Sequence, residues 1–341
     1  MYTSRGAIGR RAALAALLAA GMILGCSSWA LADPGPDPHT FSLDKASPSG
    51  VDPADLLNPN AVPPPTTQVL AANLGLLLGD ELDALSGGAD AVRDLNIVFF
   101  SVDRLSMGAV PGPLPPWDVL NQALLSQQAG DVFVSTNAAG GWSPPVGVNM
   151  LRDNQGALGE IPSILPTVPN PGPMDRLDAM AFEEFDLTGD GAHDLPVYFS
   201  LDLLSPSLVA PLSAADILLS PVGGGFVVFA PAGAMGLTMH DDLDALALLD
   251  LGVAGRVDPG VDLALFSLAP GSPTLALLGA SPADVFITAF NNASAVRYPA
   301  GSLGLLFEDN VDALEVQIPE PVCLSFLLPA VAGLLSRRRR R

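Results

Sequence analysis

Asp80-Glu81-Leu82-Asp83-Ala84-Leu85 (DELDAL) is one of four near-copies of a single pattern. The others are Asp175 to Met180 (DRLDAM), Asp241 to Leu246 (DDLDAL) and Asp309 to Leu314 (DNVDAL). Aligned on the second aspartate, Asp83, Asp178, Asp244 and Asp312 are separated by 95, 66 and 68 residues. Recurrence on this scale signals repeated supersecondary units and has to be read before any local propensity.

Three further signatures keep step. A Phe-Ser pair recurs in TFSLD (Thr40 to Asp44), FFSVD (Phe99 to Asp103), YFSLD (Tyr198 to Asp202) and LFSLA (Leu265 to Ala269). A short Asp-aliphatic element follows it: ADLL from Ala54, GDVF from Gly130, ADIL from Ala215 and ADVF from Ala283. An LGL-like element sits nine residues before Asp83, Asp244 and Asp312, at Leu74, Met235 and Leu303. Alternation in Leu243 to Leu248, β-branched and aromatic enrichment in Ile97 to Val102 and Val197 to Leu201, and Gly, Pro, Asn and Asp in the gaps make each of the four elements read as a short strand.

Four strands per unit predict an all-β fold, a β-propeller of four blades. The copies are permuted: the Phe-Ser strand at Phe41 has no DxΦDAΦ strand before it, and the DxΦDAΦ strand at Val311 has no Phe-Ser strand after it. A ring closed by pairing of the N- and C-terminal strands requires this permutation, and closure removes exposed sheet edges. The DxΦDAΦ strand is then the innermost of each blade. Ala84, Ala179, Ala245 and Ala313 are expected to be small because neighbours crowd them, and the paired aspartates are expected to cap backbone N–H groups at the turn before the strand.

The ends of the chain carry addresses. Residues 1 to 32 combine Arg5, Arg10 and Arg11 with an apolar run from Ala12 to Leu24 and close on Ala30-Leu31-Ala32, the pattern of a cleaved export signal. Ile23-Leu24-Gly25-Cys26 also resembles a lipobox, which would lipidate Cys26. At the other end, Pro319-Glu320-Pro321 precedes an apolar run, Val322 to Ser336, and then Arg337 to Arg341. That run is shorter than the ~20 residues a permanent span needs, which suits a transient membrane anchor. The three-part order over residues 319 to 341 resembles the PEP-CTERM sorting tag of Gram-negative bacteria. The resemblance implies an exosortase-type processing enzyme as partner, cutting near the tripeptide, and delivery to the cell surface or extracellular matrix. A retained tail anchor is the alternative. The expected organisation is a signal peptide over 1–32, a four-repeat domain over 33–318 and a tag over 319–341.

Of 15 basic residues, three lie in the leader and five in the tail, which leaves seven; of 36 acids only Glu320 lies in the tail, which leaves 35. A domain of this charge repels phosphates, so nucleic acid is excluded as a partner and cations are favoured. Cys26 and Cys323 both sit in the terminal segments, so the repeat domain has no thiol for disulfides, thiolate ligation or catalysis.

Asp186-Leu187-Thr188-Gly189-Asp190-Gly191-Ala192-His193-Asp194 is the stretch most suggestive of metal chemistry. Asp186, Thr188, Asp190 and Asp194, spaced around glycines, can converge their oxygens on calcium. The stretch resembles the D-x-x-x-D-G-x-x-D loops of FG-GAP-type propellers, which implies a bound calcium. Asp33-Pro34-Gly35-Pro36-Asp37 and Asp258-Pro259-Gly260-Val261-Asp262 occupy equivalent places and read as plain Asp-rich turns. Two excess segments stand out: residues 104–128, where Trp117 to Leu125 predicts a short helix, and the Pro-, Gly- and Asn-rich 137–173, which reads as a long binding loop.

No G-x-S-x-G, H-E-x-x-H or P-loop is present, and His39, His193 and His240 show no spacing that pairs them with a nucleophile or a metal. The expected function is a non-enzymatic surface or matrix module that binds an extracellular polysaccharide or a surface protein. The alternative is a secreted polysaccharide hydrolase using two carboxylates of the propeller channel.

Overall fold

The structure is a computed structural model that describes residues 39–86, 98–109, 119–125, 128–135, 147–153, 175–182, 196–221 and 225–316. Its strands, in chain order, are β1 (His39–Leu43), β2 (Leu56–Asn58), β3 (Thr66–Val69), β4 (Leu82–Ser86), β5 (Val98–Val102), β6 (Val132–Ser135), β7 (Met150–Asp153) and β8 (Leu177–Phe182). They continue with β9 (Val197–Leu201), β10 (Ile217–Ser220), β11 (Val227–Ala230), β12 (Leu243–Leu249), β13 (Leu263–Leu268), β14 (Val285–Thr288), β15 (Ser294–Tyr298) and β16 (Val311–Val316).

These strands form four sheets of four: β4-β5-β6-β7, β8-β9-β10-β11, β12-β13-β14-β15 and β16-β1-β2-β3. The four copies of the DxΦDAΦ pattern are the first strands of the four sheets, and they neighbour one another cyclically, β4 beside β8, β8 beside β12, β12 beside β16 and β16 beside β4. The fold is a four-bladed β-propeller. Its last blade is built from both ends of the chain: β1 runs antiparallel to β16 with Phe41 opposite Leu314 and Ser42 opposite Ala313.

The core lies between facing sheets. Leu82, Leu85, Phe100 and Phe133 of one blade bury against Leu56, Val69 and Ala313 of the blade before it. Leu177, Met180 and Phe199 do the same against Ala84, Phe99 and Val132, and Leu243, Leu246 and Phe266 against Ala179, Tyr198 and Ile217. The inner-strand alanines are wholly buried where they meet these neighbours, so the reading of crowding holds.

The Phe-Ser strands fasten blade to blade. Ser42 Oγ donates to the carbonyl of Leu82 (3.3 Å), Ser200 Oγ to that of Leu243 (3.1 Å) and Ser267 Oγ to that of Val311 (2.7 Å). In each case the acceptor opens the inner strand of the following blade. Ser101, the fourth member, is buried without a partner.

Two readings of the sequence are corrected. The LGL-like element is a single helical turn, not a strand: Ala71–Leu74, Ala232–Met235 and Ala300–Leu303 each end on a left-handed glycine, Gly75, Gly236 or Gly304. The aspartate of the Asp-aliphatic element holds that turn, since Asp55, Asp216 and Asp284 accept from the N–H of Ala71 (2.7 Å), Ala232 (2.8 Å) and Ala300 (2.7 Å). Secondly, the excess segment 137–173 is not all loop, because it supplies β7, the outer strand of its blade. The expected helix in 104–128 is present as Val119–Leu125.

Left-handed backbone is compulsory at Gly304 (φ 78°), and a Cβ there would stand 2.1 Å from the carbonyl oxygen of Asn60. Gly279 is also left-handed (φ 64°) but faces open space. Gly304→Ala should therefore cost distinctly more than the ~1 kcal/mol of left-handed strain expected for Gly279→Ala. Equal losses in urea denaturation would remove the blade-to-blade packing of this turn from the account.

Candidate functional site

The two aspartates of each DxΦDAΦ copy have different tasks. The first accepts hydrogen bonds from the turn before its own strand and from the loop after the second strand. Asp80 accepts from the N–H groups of Leu77 (2.8 Å), Met107 (2.8 Å) and Gly108 (2.9 Å). Asp241 accepts from Thr238 N (2.7 Å), Thr274 N (2.8 Å) and Thr274 Oγ1 (2.7 Å). Asp309 accepts from Leu306 N (2.7 Å) and Ser49 N (2.9 Å), and Asp175 from Ser207 N (2.8 Å). For these residues the expectation of capping holds.

The second aspartate is not a cap. Leu82 pairs with Val102 and Ala84 with Ser101, so Asp83 is an extra residue, a β-bulge. The same slip falls at Asp178 between Leu177 and Ala179, at Asp244 between Leu243 and Ala245, and at Asp312 between Val311 and Ala313. A bulge leaves its extra residue outside the ladder and re-aims the side chain. Repeated four times around the ring, it gathers Asp83, Asp178, Asp244 and Asp312 at one axial pit of about 190 Å³.

Two further layers line this pit. The residue after the first aspartate contributes Glu81, Arg176, Asp242 and Asn310, and the residue after the Phe-Ser strand contributes Asp44, Asp103, Asp202 and Ala269. Among the described residues nine carboxyl groups thus line the pit with one guanidinium. Arg176 is committed to Asp202 as an ion pair, and Asn310 Nδ2 donates to Asp244 at 2.5 Å.

Such crowding forbids full ionisation. Burial, reinforced by neighbouring carboxylates, holds Asp83, Asp178, Asp244 and Asp312 well above the usual aspartate range. Burial followed by the Asp202 charge pushes Asp242 up to about 7, and burial raises Glu81. Burial alone would lower the Arg176 guanidinium, but Asp202 and Asp83 outweigh it and raise it.

The calcium ligands expected from the sequence, Asp186, Thr188, Asp190 and Asp194, lie outside the described residues, as do the leader, the tag, Asp33 to Asp37 and His193. The related turn at 258–262 is an Asp-rich turn: Asp262 accepts from Leu251 N and Gly252 N at 2.9 Å each, and Asp258 accepts from Val253 N at 2.7 Å. His240 is an exposed turn residue. Among the described residues no group of three or more His, Cys, Asp or Glu is placed so that it could hold a metal ion. No helix of the described residues is long and apolar enough to cross a membrane. No protein-family model matches this chain, and no curated protein matches it in sequence.

Proposed function

We propose that this chain is an exported, non-enzymatic module of a Gram-negative cell surface or extracellular matrix, and that it works by binding. The observation that carries this reading is the face around the pit. The turns that bear the pit's carboxyl groups also expose large apolar side chains: Leu78 is 89% exposed, Leu204 77%, Leu105 70% and Phe307 58%. Apolar exposure repeated on the turns around one pit suits an interaction surface, and a rigid propeller presents it with little ordering cost. Among the described residues no aromatic ring lines the pit itself, which favours a surface protein over a polysaccharide as the partner. Calcium held by Asp186, Thr188, Asp190 and Asp194 is its stabilising ion.

A polysaccharide hydrolase is the second reading, and the raised carboxyl of Asp242 speaks for it, because acid catalysts are tuned in this direction. The size of the pit speaks against it. At about 190 Å³ it is smaller than the ~300–1,000 Å³ of ordinary ligand pockets, and the aspartates repeat around a near-symmetric ring.

Export and sorting are tested by fractionating cells that produce the intact chain or a variant with Arg337 to Arg341 replaced by alanine. The reading requires the intact chain at the surface, shortened at both ends, and the variant held back at full tail length. Recovery of both in the cytoplasm would overturn it.

A further inference from the structure

Resting on the binding role proposed above, we infer that the rim of apolar turns around the pit docks a protein whose contact surface sets lysine or arginine among apolar side chains. The contact is with the exposed rim, not with the buried axial carboxyl groups.

Every blade contributes to the rim. Leu78 stands in the turn before β4, Leu105 follows β5, Leu204 follows β9 and Phe307 precedes β16. The third blade adds Met239, 56% exposed before β12, and Leu277, 81% exposed between β13 and β14. These turns share one end of the propeller, because Glu81, Asp103, Asp202, Asp242 and Asn310, two or three residues along the chain from five of them, line the pit. The segment that bears Leu277 is tied to the same end through Thr274, whose N–H donates to Asp241 at 2.8 Å. One blade boundary is bridged within the rim: Lys45 Nζ, after β1, donates to the carbonyl of Gly79, before β4, at 2.6 Å. Large apolar side chains held in water on every blade gain by being covered.

Charge selects the occupant. Half-buried Asp44, Asp103 and Asp202 and exposed Glu308 lie on the same turns as the apolar side chains, against exposed Lys45 and Arg104. The domain as a whole has 35 acids and seven bases. A second copy of this chain would set those acids against themselves, and anionic headgroups and nucleic acid are repelled. A protein surface that mixes cationic and apolar side chains is complementary in both respects. Its cations face the acids and steer the encounter, and its apolar side chains cover the leucines.

The test titrates the purified intact chain at about 0.15 M salt, where exposed charges more than ~8 Å apart are largely screened. The titrants are three synthetic peptides of equal length, one of leucine and arginine, one of leucine and glutamate and one of serine and arginine. Saturable one-to-one binding of the leucine–arginine peptide is expected, about tenfold or more tighter than either of the others. Leu78→Ser combined with Leu204→Ser and Phe307→Ser alters only exposed side chains and keeps every charge, and it should weaken that peptide by about tenfold or more. Leu105→Ser with Met239→Ser and Leu277→Ser is the parallel variant on the remaining turns if the first does not fold. Equal binding of either control peptide, or affinity unchanged by the serine variants, would overturn the proposal. So would a dimer in sedimentation, or binding to phosphatidylcholine vesicles, that the serine variants abolish, since these identify a second copy or a lipid as the occupant. The titration uses purified protein, so its failure leaves the export reading standing, and a failure of export in the fractionation leaves the titration standing.

Discussion

Deletion of Val311 to Val316 is expected to abolish the cooperative thermal transition of the whole domain. All six residues are buried, and the strand serves three neighbours at once. It is the hydrogen-bonded partner of β1, it stands beside both β12 and β4, and its Val311 carbonyl accepts from Ser267. Without it β1 becomes a bare edge and the apolar faces of two adjoining blades meet water. Domains of ordinary stability have only about 5–15 kcal/mol to lose, and opening the ring removes more than one such interface. Deletion of Ser294 to Tyr298, an outer strand whose residues are half-buried or exposed, should by contrast leave a cooperative transition at lower temperature. A β16 deletion that melts within a few degrees of the intact chain, followed by circular dichroism, would contradict closure.

In metal-free buffer the melting temperature should rise as the pH is lowered from 8 towards 5, the reverse of ordinary acid denaturation. The sign follows from the pit. A carboxyl group whose folded pKa lies above its unfolded value binds more protons when folded, so stability falls as pH rises between the two values. For Asp242 that window runs from 3.8 to about 7. The four central aspartates, raised in the same direction by burial and mutual repulsion, reinforce the trend. One pKa unit corresponds to about 1.4 kcal/mol, and several groups act together, so a rise on the order of 10 °C is expected. Asp178→Asn combined with Asp312→Asn should flatten the profile and raise the pH 8 value. A melting temperature that falls steadily below pH 7 in the unsubstituted chain would count against a buried acidic ring.

The fold was legible because four signatures recur in fixed order and break in complementary places at the two ends, which only a closed ring accommodates. The outer strands Val227–Ala230 and Ser294–Tyr298 were not: they have partly exposed sides, so their side chains are free to vary and carry no repeated signature. The helical turns were misread because apolar runs of three or four residues do not separate strand from helix.

The pit was hidden for a different reason. An aspartate three residues after another looks like a second cap, and nothing in a strand's alternation announces a bulge. A signal was nevertheless present. Leu82 and Leu85 bury in one cluster, as do Leu177 with Met180 and Leu243 with Leu246. Large apolar residues three apart fall on opposite faces of a regular strand, and their sharing a face requires one extra residue between them. Reading the spacing of the leucines, instead of the aspartates, would have placed Asp83, Asp178 and Asp244 outside the ladder. The calcium loop at 186–194 rests on its sequence pattern alone.

The most direct measurement of the central claim is a carbon-detected NMR titration of the aspartate side-chain carboxyl groups in the intact, metal-free chain, with signals assigned by single Asp→Asn substitutions at positions 83, 178, 244 and 312. Convergence on one axis predicts that these four carboxyl groups titrate well above the usual aspartate range. It also predicts that replacing any one of them lowers the midpoints of the other three. Four carboxyl groups that titrate independently of one another near the ordinary aspartate value, about 3.9, would contradict it.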